Sequence, residues 1–259
     1  MGPADATLIF LHLPKTGGTS LRATMRKAIG SGRMLRLKNH DLSPLLSIEP
    51  GARAQIAMVE GHMLYGVHEH IARPCVYITM LREPVARLRS WHRYVMTTPH
   101  HRFHSLVAGE RLSLAACIER GLSTELDNHM TRILGAVCRA ETPFGALTRE
   151  MFDEACRNLE RIEFVGTTER MDEFHAMLCE RMGWEAMTLA HLNRTMVPEG
   201  AERGLGVEGG GTYSAGSSED GETERELRKV REINGFDRAL WERAGAILEA
   251  LLRSARAGA

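Results

Sequence analysis

The chain reads as a three-layer α/β fold with a mostly parallel central sheet flanked by helices. Three observations predict it. Short apolar runs rich in β-branched residues alternate with longer helical segments, the pattern of βαβ units. The first run passes through a glycine-rich turn straight into a helical segment. The chain has 259 residues, 43% hydrophobic and 25% charged, enough to bury a core without a disulfide or metal staple.

The elements follow in order. Residues 7–13 (TLIFLHL) form an apolar run bounded by Pro14 and Gly17-Gly18, a buried strand ending in a turn. Residues 19–29 read as a helix, with Thr19 or Ser20 at its start and Gly30 after its end. Residues 55–60 (QIAMVE) and 75–81 (CVYITML) are the next strands. Pro84 then opens a helix to Met96. The histidine-rich stretch 97–105 reads as a loop, and residues 112–121, 123–135 and 147–159 as helices. Residues 164–166 form a brief strand and 169–182 a helix that stops at Gly183. Eight glycines in the 23 residues 199–221 predict a flexible segment, a lid or a disordered insert. From Glu222 the chain is helical again, broken at Asn234-Gly235. No internal repeat divides it, so residues 1–259 are expected to form one domain.

Composition narrows the function. Lysine plus arginine equals aspartate plus glutamate, 33 each, which disfavours a dedicated nucleic-acid binder. The five cysteines (Cys75, Cys117, Cys138, Cys156 and Cys179) are widely spaced and odd in number, the pattern of reduced thiols. The first residues lack a basic region and run directly into a motif, so no signal peptide is expected. No stretch approaches the roughly 18 apolar residues of a membrane span. A cytoplasmic protein without membrane insertion is the expectation; oligomeric state stays open.

In parallel sheets ligands gather where strands end at their carboxyl side. After the first strand stands HLPKTGGTSL, His12 to Leu21. Strand, glycine turn, lysine and helix start make an anion cradle of backbone N–H groups and a positive helix end. Lys15 adds a charge, and Thr16, Thr19 and Ser20 add hydroxyls. It is not a Walker A motif, because Lys15 precedes Gly17 and Gly18. After the third strand stands ITMLREPVARLRSWHRYV, with Arg82 at the strand end and Ser90 on the helix that Pro84 opens.

These motifs resemble those of sulfotransferases that use 3′-phosphoadenosine 5′-phosphosulfate (PAPS), in the bacterial form related to heparan sulfate 2-O-sulfotransferase. PKTGGTSL resembles the loop that binds the 5′-phosphosulfate, and the Arg82–Ser90 segment is similar to the 3′-phosphate motif. EGHMLYGVHE (Glu60 to Glu69), LDNHMTRIL (Leu126 to Leu134) and FVGTTERMDE (Phe164 to Glu173) echo further family segments. The resemblance runs from about residue 8 to residue 195, in family order. It implies a P-loop-like fold, PAPS as sulfuryl donor and adenosine 3′,5′-bisphosphate (PAP) as product, no metal, and an acceptor hydroxyl on a saccharide, lipid-linked glycan or other small molecule. It also implies roles: Lys15, Thr16, Gly17, Gly18, Thr19 and Ser20 on the 5′ end, Arg82 and Ser90 on the 3′-phosphate, Lys15 at the leaving group.

The acceptor hydroxyl needs a base, and His62 matches the family's Gly-His position. His68, His70, Glu60 and Glu69 are the alternatives. Asn128 and Arg132 lie four apart on one helical face and either contact acceptor or cofactor or pair locally. Thr168, Glu169 and Arg170 are placed near the adenine, and Asn193 and Arg194 near the nucleotide. Arg87, Arg89 and Arg93 read most simply as a solvated helix face, with an anionic acceptor as the other use. His100, His101 and His104 share a loop but no cysteine lies near them, so a metal site is not expected. Two other readings remain: a P-loop kinase or nucleotide triphosphatase, and a non-catalytic nucleotide-binding protein on this fold.

Overall fold

The computed structural model describes residues 6–30, 34–137, 141–185 and 224–257. Five strands form one all-parallel sheet in the order β2-β3-β1-β4-β5: β1 (Thr7–Leu11), β2 (Met34–Leu37), β3 (Met58–Gly61), β4 (Cys75–Leu81) and β5 (Phe164–Thr167). The central strand β1 is buried at every residue, which its unbroken apolar run requires of a strand covered on both faces.

Alternate residues of the sheet feed two cores. Ile9, Leu11, Val59, Tyr77, Leu81 and Val165 face one side. There they meet α7 (His129–Leu134), α8 (Arg149–Glu160) and the amino-terminal half of α11 (Gly235–Ala257). Leu8, Phe10, Met58, Ile78 and Met80 face the other. They pack on α1 (Gly18–Ile29), α9 (Met171–Met182) and the far half of α11. This is the expected three-layer arrangement. A third cluster joins α4 (Pro84–Thr97) to α5 (His104–Gly109), α6 (Leu114–Glu119) and α10 (Glu224–Ile233) around Trp91 and Leu88. The short helices α2 (Ser43–Leu46) and α3 (Pro50–Arg53) lie between β2 and β3 in sequence.

Several boundaries differ from expectation. β2 was not predicted: it is a four-residue edge strand whose first residues stay partly exposed, so it lacks an apolar signature. β3 begins three residues later than the apolar run. The helix expected over 123–135 is a 3-10 turn at Thr124–Leu126 followed by α7, interrupted at Asn128, whose φ of 42° is left-handed. Part of the predicted 97–105 loop is helical, because α5 starts at His104. The helix expected over 169–182 opens as a 3-10 turn at Thr168–Arg170 before α9. The break at Asn234-Gly235 separates α10 from α11 as read. The glycine-rich 199–221 segment, Asn193, Arg194 and Cys138 lie outside the described residues.

Candidate functional site

β1 leads through His12–Gly17 into α1, and the turn is built by close contacts. Lys15 and Gly17 are left-handed, with φ of 69° and 79°. A Cβ on Gly17 would lie 2.1 Å from Met171 Cε, and one on Gly18 would lie 2.2 Å from the His12 ring. Both glycines are therefore required by what packs on them. The Thr16 hydroxyl donates to Leu13 O at 2.8 Å. It is buried and spent within the loop, so the expectation of a Thr16 hydroxyl for a ligand is corrected to a structural role. The Thr168 hydroxyl reaches Thr16 O at 2.9 Å and Leu81 O at 3.1 Å, tying the loop to the end of β4. Thr168 is thus also structural. No side chain caps α1 and its first turn carries no acid. Its first-turn amides keep the anion-binding character of a helix start.

The cations lie on the β4 side. Arg82 Nη1 donates to Lys15 O at 3.2 Å, and Lys15 Nζ sits 4.2 Å from the centroid of the Tyr94 ring. Burial, then Arg82, lowers the Lys15 pKa, while Glu125 opposes them. Burial also lowers that of Arg82, against the pull of Glu169. Glu83 caps α4, its carboxylate accepting from Val85 N at 3.1 Å and Ala86 N at 2.7 Å behind Pro84. Ser90, Arg93 and Tyr94 then share one helical stripe, with Tyr94 under Lys15.

On the other flank stands His62, just beyond β3. Its Nδ1 lies 2.8 Å from His12 O. A carbonyl only accepts, so Nδ1 carries the proton and Nε2 of the neutral ring keeps a lone pair. Burial lowers the His62 pKa, so the neutral form holds at pH 7. The His12 ring packs at 4.7 Å from that of His62 and stacks on Phe10 at 5.3 Å. Burial first, then the neighbouring His62, Arg22 and Arg36, push the His12 pKa down to about 3.

The alternative bases go elsewhere. Glu60 is fully buried, opposite Phe10 in register, with Arg26, Arg36 and Arg22 at 3.5, 3.7 and 3.9 Å. It is a charge-paired strand residue. His68 is bound to Tyr77, whose hydroxyl accepts from the amides of Gly66 and His68 and lies 3.0 Å from His68 Nδ1. Tyr77 belongs to the first half of β4, away from the turn between β1 and α1. Glu69 and His70 share the 3-10 turn Val67–His70 with it.

Other expectations are corrected by packing. The buried Arg132 side chain donates to Asp127 O, Thr142 O and Pro143 O and pairs with the buried Asp127 carboxylate at 2.5 Å. Asn128 bonds Ile233 O, Asp127 and the amide of Asp237. Asn128 holds the start of α7 to the α10–α11 corner, and Arg132 holds it to Asp127 and the 142–143 stretch, so the local-pairing alternative is the one the structure shows. Arg170 is clamped by Glu173 and Glu249 at 2.6–2.8 Å. Glu169 accepts from Glu83 N at 2.9 Å and Trp241 Nε1 at 3.0 Å. Arg87 is not solvated: it is fully buried, and Nη2 donates to Glu125 O at 2.7 Å. Position 87 falls on the buried stripe of α4 with Leu88 and Trp91, whereas Arg93 is exposed. Among the described residues no group of three or more His, Cys, Asp or Glu could hold a metal ion.

Sequence reasoning missed Glu125 and Tyr94. Glu125 accepts from Trp91 Nε1 at 3.0 Å and acts electrostatically on Lys15, His62 and His101. Nothing in its local sequence marks it; only the fold of the 98–126 stretch over α4 brings it there. Tyr94 was visible in principle, one turn beyond Ser90 on the same stripe.

The chain matches no protein-family model and no curated protein. Among the described residues no helix is long and apolar enough to cross a membrane.

Proposed function

We propose that this chain is a PAPS-dependent O-sulfotransferase acting in the cytoplasm on a hydroxyl of a saccharide or glycan-like acceptor. One observation carries the reading. Three adjacent strands end side by side in complementary groups: His62 after β3, the uncapped loop with Lys15 after β1, and Arg82 after β4.

Each group has a task. The first-turn amides of α1, with Lys15 and Thr19, receive the 5′-phosphosulfate. Arg82 offers paired N–H donors to the 3′-phosphate, with Ser90 on the adjoining helix. His62 Nε2 takes the acceptor's proton while the acceptor oxygen bonds to sulfur. The bond from sulfur to the 5′-phosphate oxygen breaks, its electron pair leaves with PAP, and Lys15 meets the charge that develops there.

The test is calorimetric binding of PAP, ADP and ATP. The expected result is tightest binding for PAP, weakened about tenfold or more by Arg82→Ala, with ADP affinity unmoved by that change. Preference for ATP with magnesium would turn the reading to phosphoryl transfer, and no nucleotide binding would overturn it.

A further inference from the structure

Tyr94 is 44% exposed, a large ring left at the surface. It nevertheless sits in a chain of contacts that ends at the anion loop. Lys15 Nζ lies over its face at 4.2 Å from the centroid. His101 meets its ring edge-on at 5.6 Å and meets the Trp91 ring edge-on at 6.1 Å. Trp91 donates to the Glu125 carboxylate, and the buried Arg87 holds the Glu125 main-chain oxygen. The Lys15 backbone is left-handed and its carbonyl is taken by Arg82. Main chain and side chain of one loop lysine are thus held by Arg82, just after β4, and by Tyr94 on α4.

We propose that Tyr94 is the positioning residue for Lys15: its ring face holds the ammonium at the mouth of the loop, so that a 5′-phosphate meets a cation already in place. A lysine side chain has several rotatable bonds, and ordering it on ligand binding costs affinity. A ring face that orders it beforehand removes part of that cost. The carboxylate of Glu125 works the same way, because it favours the charged ammonium that burial and Arg82 disfavour. The ligand named here rests on the sulfotransferase reading; the hold of Tyr94 on Lys15 does not.

Two variants, Tyr94→Leu and Tyr94→Phe, separate the possibilities. The first probes are PAP and adenosine 3′-monophosphate, which lacks the 5′-phosphate. Tyr94→Leu is expected to weaken PAP about fivefold and to leave the 3′-monophosphate unchanged, while Tyr94→Phe matches the wild type. Equal losses for both ligands would mean general damage and would overturn the proposal. The second measurement needs no nucleotide: competitive acetylation of Lys15, read by peptide mass. Labelling about fivefold faster in Tyr94→Leu, restored in Tyr94→Phe, is the expected result; an unchanged rate in Tyr94→Leu would overturn it. A wild-type protein that binds neither nucleotide would remove the sulfotransferase reading, and the labelling rate would still decide whether Tyr94 holds Lys15.

Discussion

The Nδ1 atom of His62 points at the main-chain oxygen of His12, 2.8 Å away, and this contact joins the proposed base to the loop between β1 and α1. His12 is the first residue after β1, and its ring lies against Gly18 at the start of α1. The residue that selects the His62 tautomer therefore also shapes the turn into α1. The proposed base and the proposed anion cradle share one backbone position.

His62→Ala should lower turnover by about 100-fold or more against any acceptor the wild type sulfates, the usual weight of a general base. PAP affinity should stay within about twofold, since His62 is not assigned to the nucleotide. The sign of the pH dependence follows from burial. Its folded pKa lies below the ordinary 6.5, and the proposed base acts as the neutral ring. Turnover should therefore be flat near pH 7 and fall only on the acid side of 6.5. A limb centred above 6.5, or full activity in the variant, would reject His62 as the base.

Lys15→Ala should weaken PAP and spare adenosine 3′-monophosphate, because the role proposed for the lysine is at the 5′ end. It should also reduce turnover by about 10²–10³, as loss of a group facing the leaving oxyanion does. Calorimetry with the two nucleotides reads the first effect, and steady-state rates at saturating donor read the second. Equal weakening of both ligands would show that the loop had collapsed.

Much of this was legible in sequence because the central strands announce themselves. TLIFL and CVYITML are short, mostly apolar runs bounded by turn residues, as doubly covered parallel strands are, and the turns after them carry the segments that resemble phosphate-binding motifs. The rest failed where long-range packing decides. β2 is short and half exposed, and it gains its place by pairing Arg36 opposite Glu60. Arg87 looked like a surface cation among others, yet the buried stripe of α4 passes through it. Asn128 and Arg132 looked like site residues because amide and guanidinium groups often are. The partners of Asn128, Asn234 and Asp237, appear only once α7 and the α10–α11 corner meet, and those of Arg132, Asp127 and Thr142, only once the chain folds back around the end of α7.

That correction is testable as stability. Asp127→Asn removes one partner of a pair with side chains 1% and 2% exposed and leaves the Arg132 charge buried. The expected loss is about 3–5 kcal/mol, read by denaturant titration, with PAP affinity unchanged in the protein that remains folded. A stable variant with weakened nucleotide binding would return Arg132 to the site.

Acid sensitivity offers a test of the His12 packing. His12 is held neutral far below its ordinary range, to about 3 from 6.5. The unfolded chain therefore binds a proton that the folded chain refuses between these values. Stability from this group is present above pH 6.5 and is lost as pH falls toward 3. The shift corresponds to at most about 5 kcal/mol, of which about 3 kcal/mol is gone by pH 4. Carboxylates also destabilise the fold in acid, so the informative quantity is a difference. His12→Gln cannot take up the proton, and its melting temperature should fall less between pH 6.5 and 4 than that of the wild type. Parallel curves for the two proteins would mean that His12 is charged in the folded state. The ring would then not lie between Phe10, His62 and the glycine of the loop.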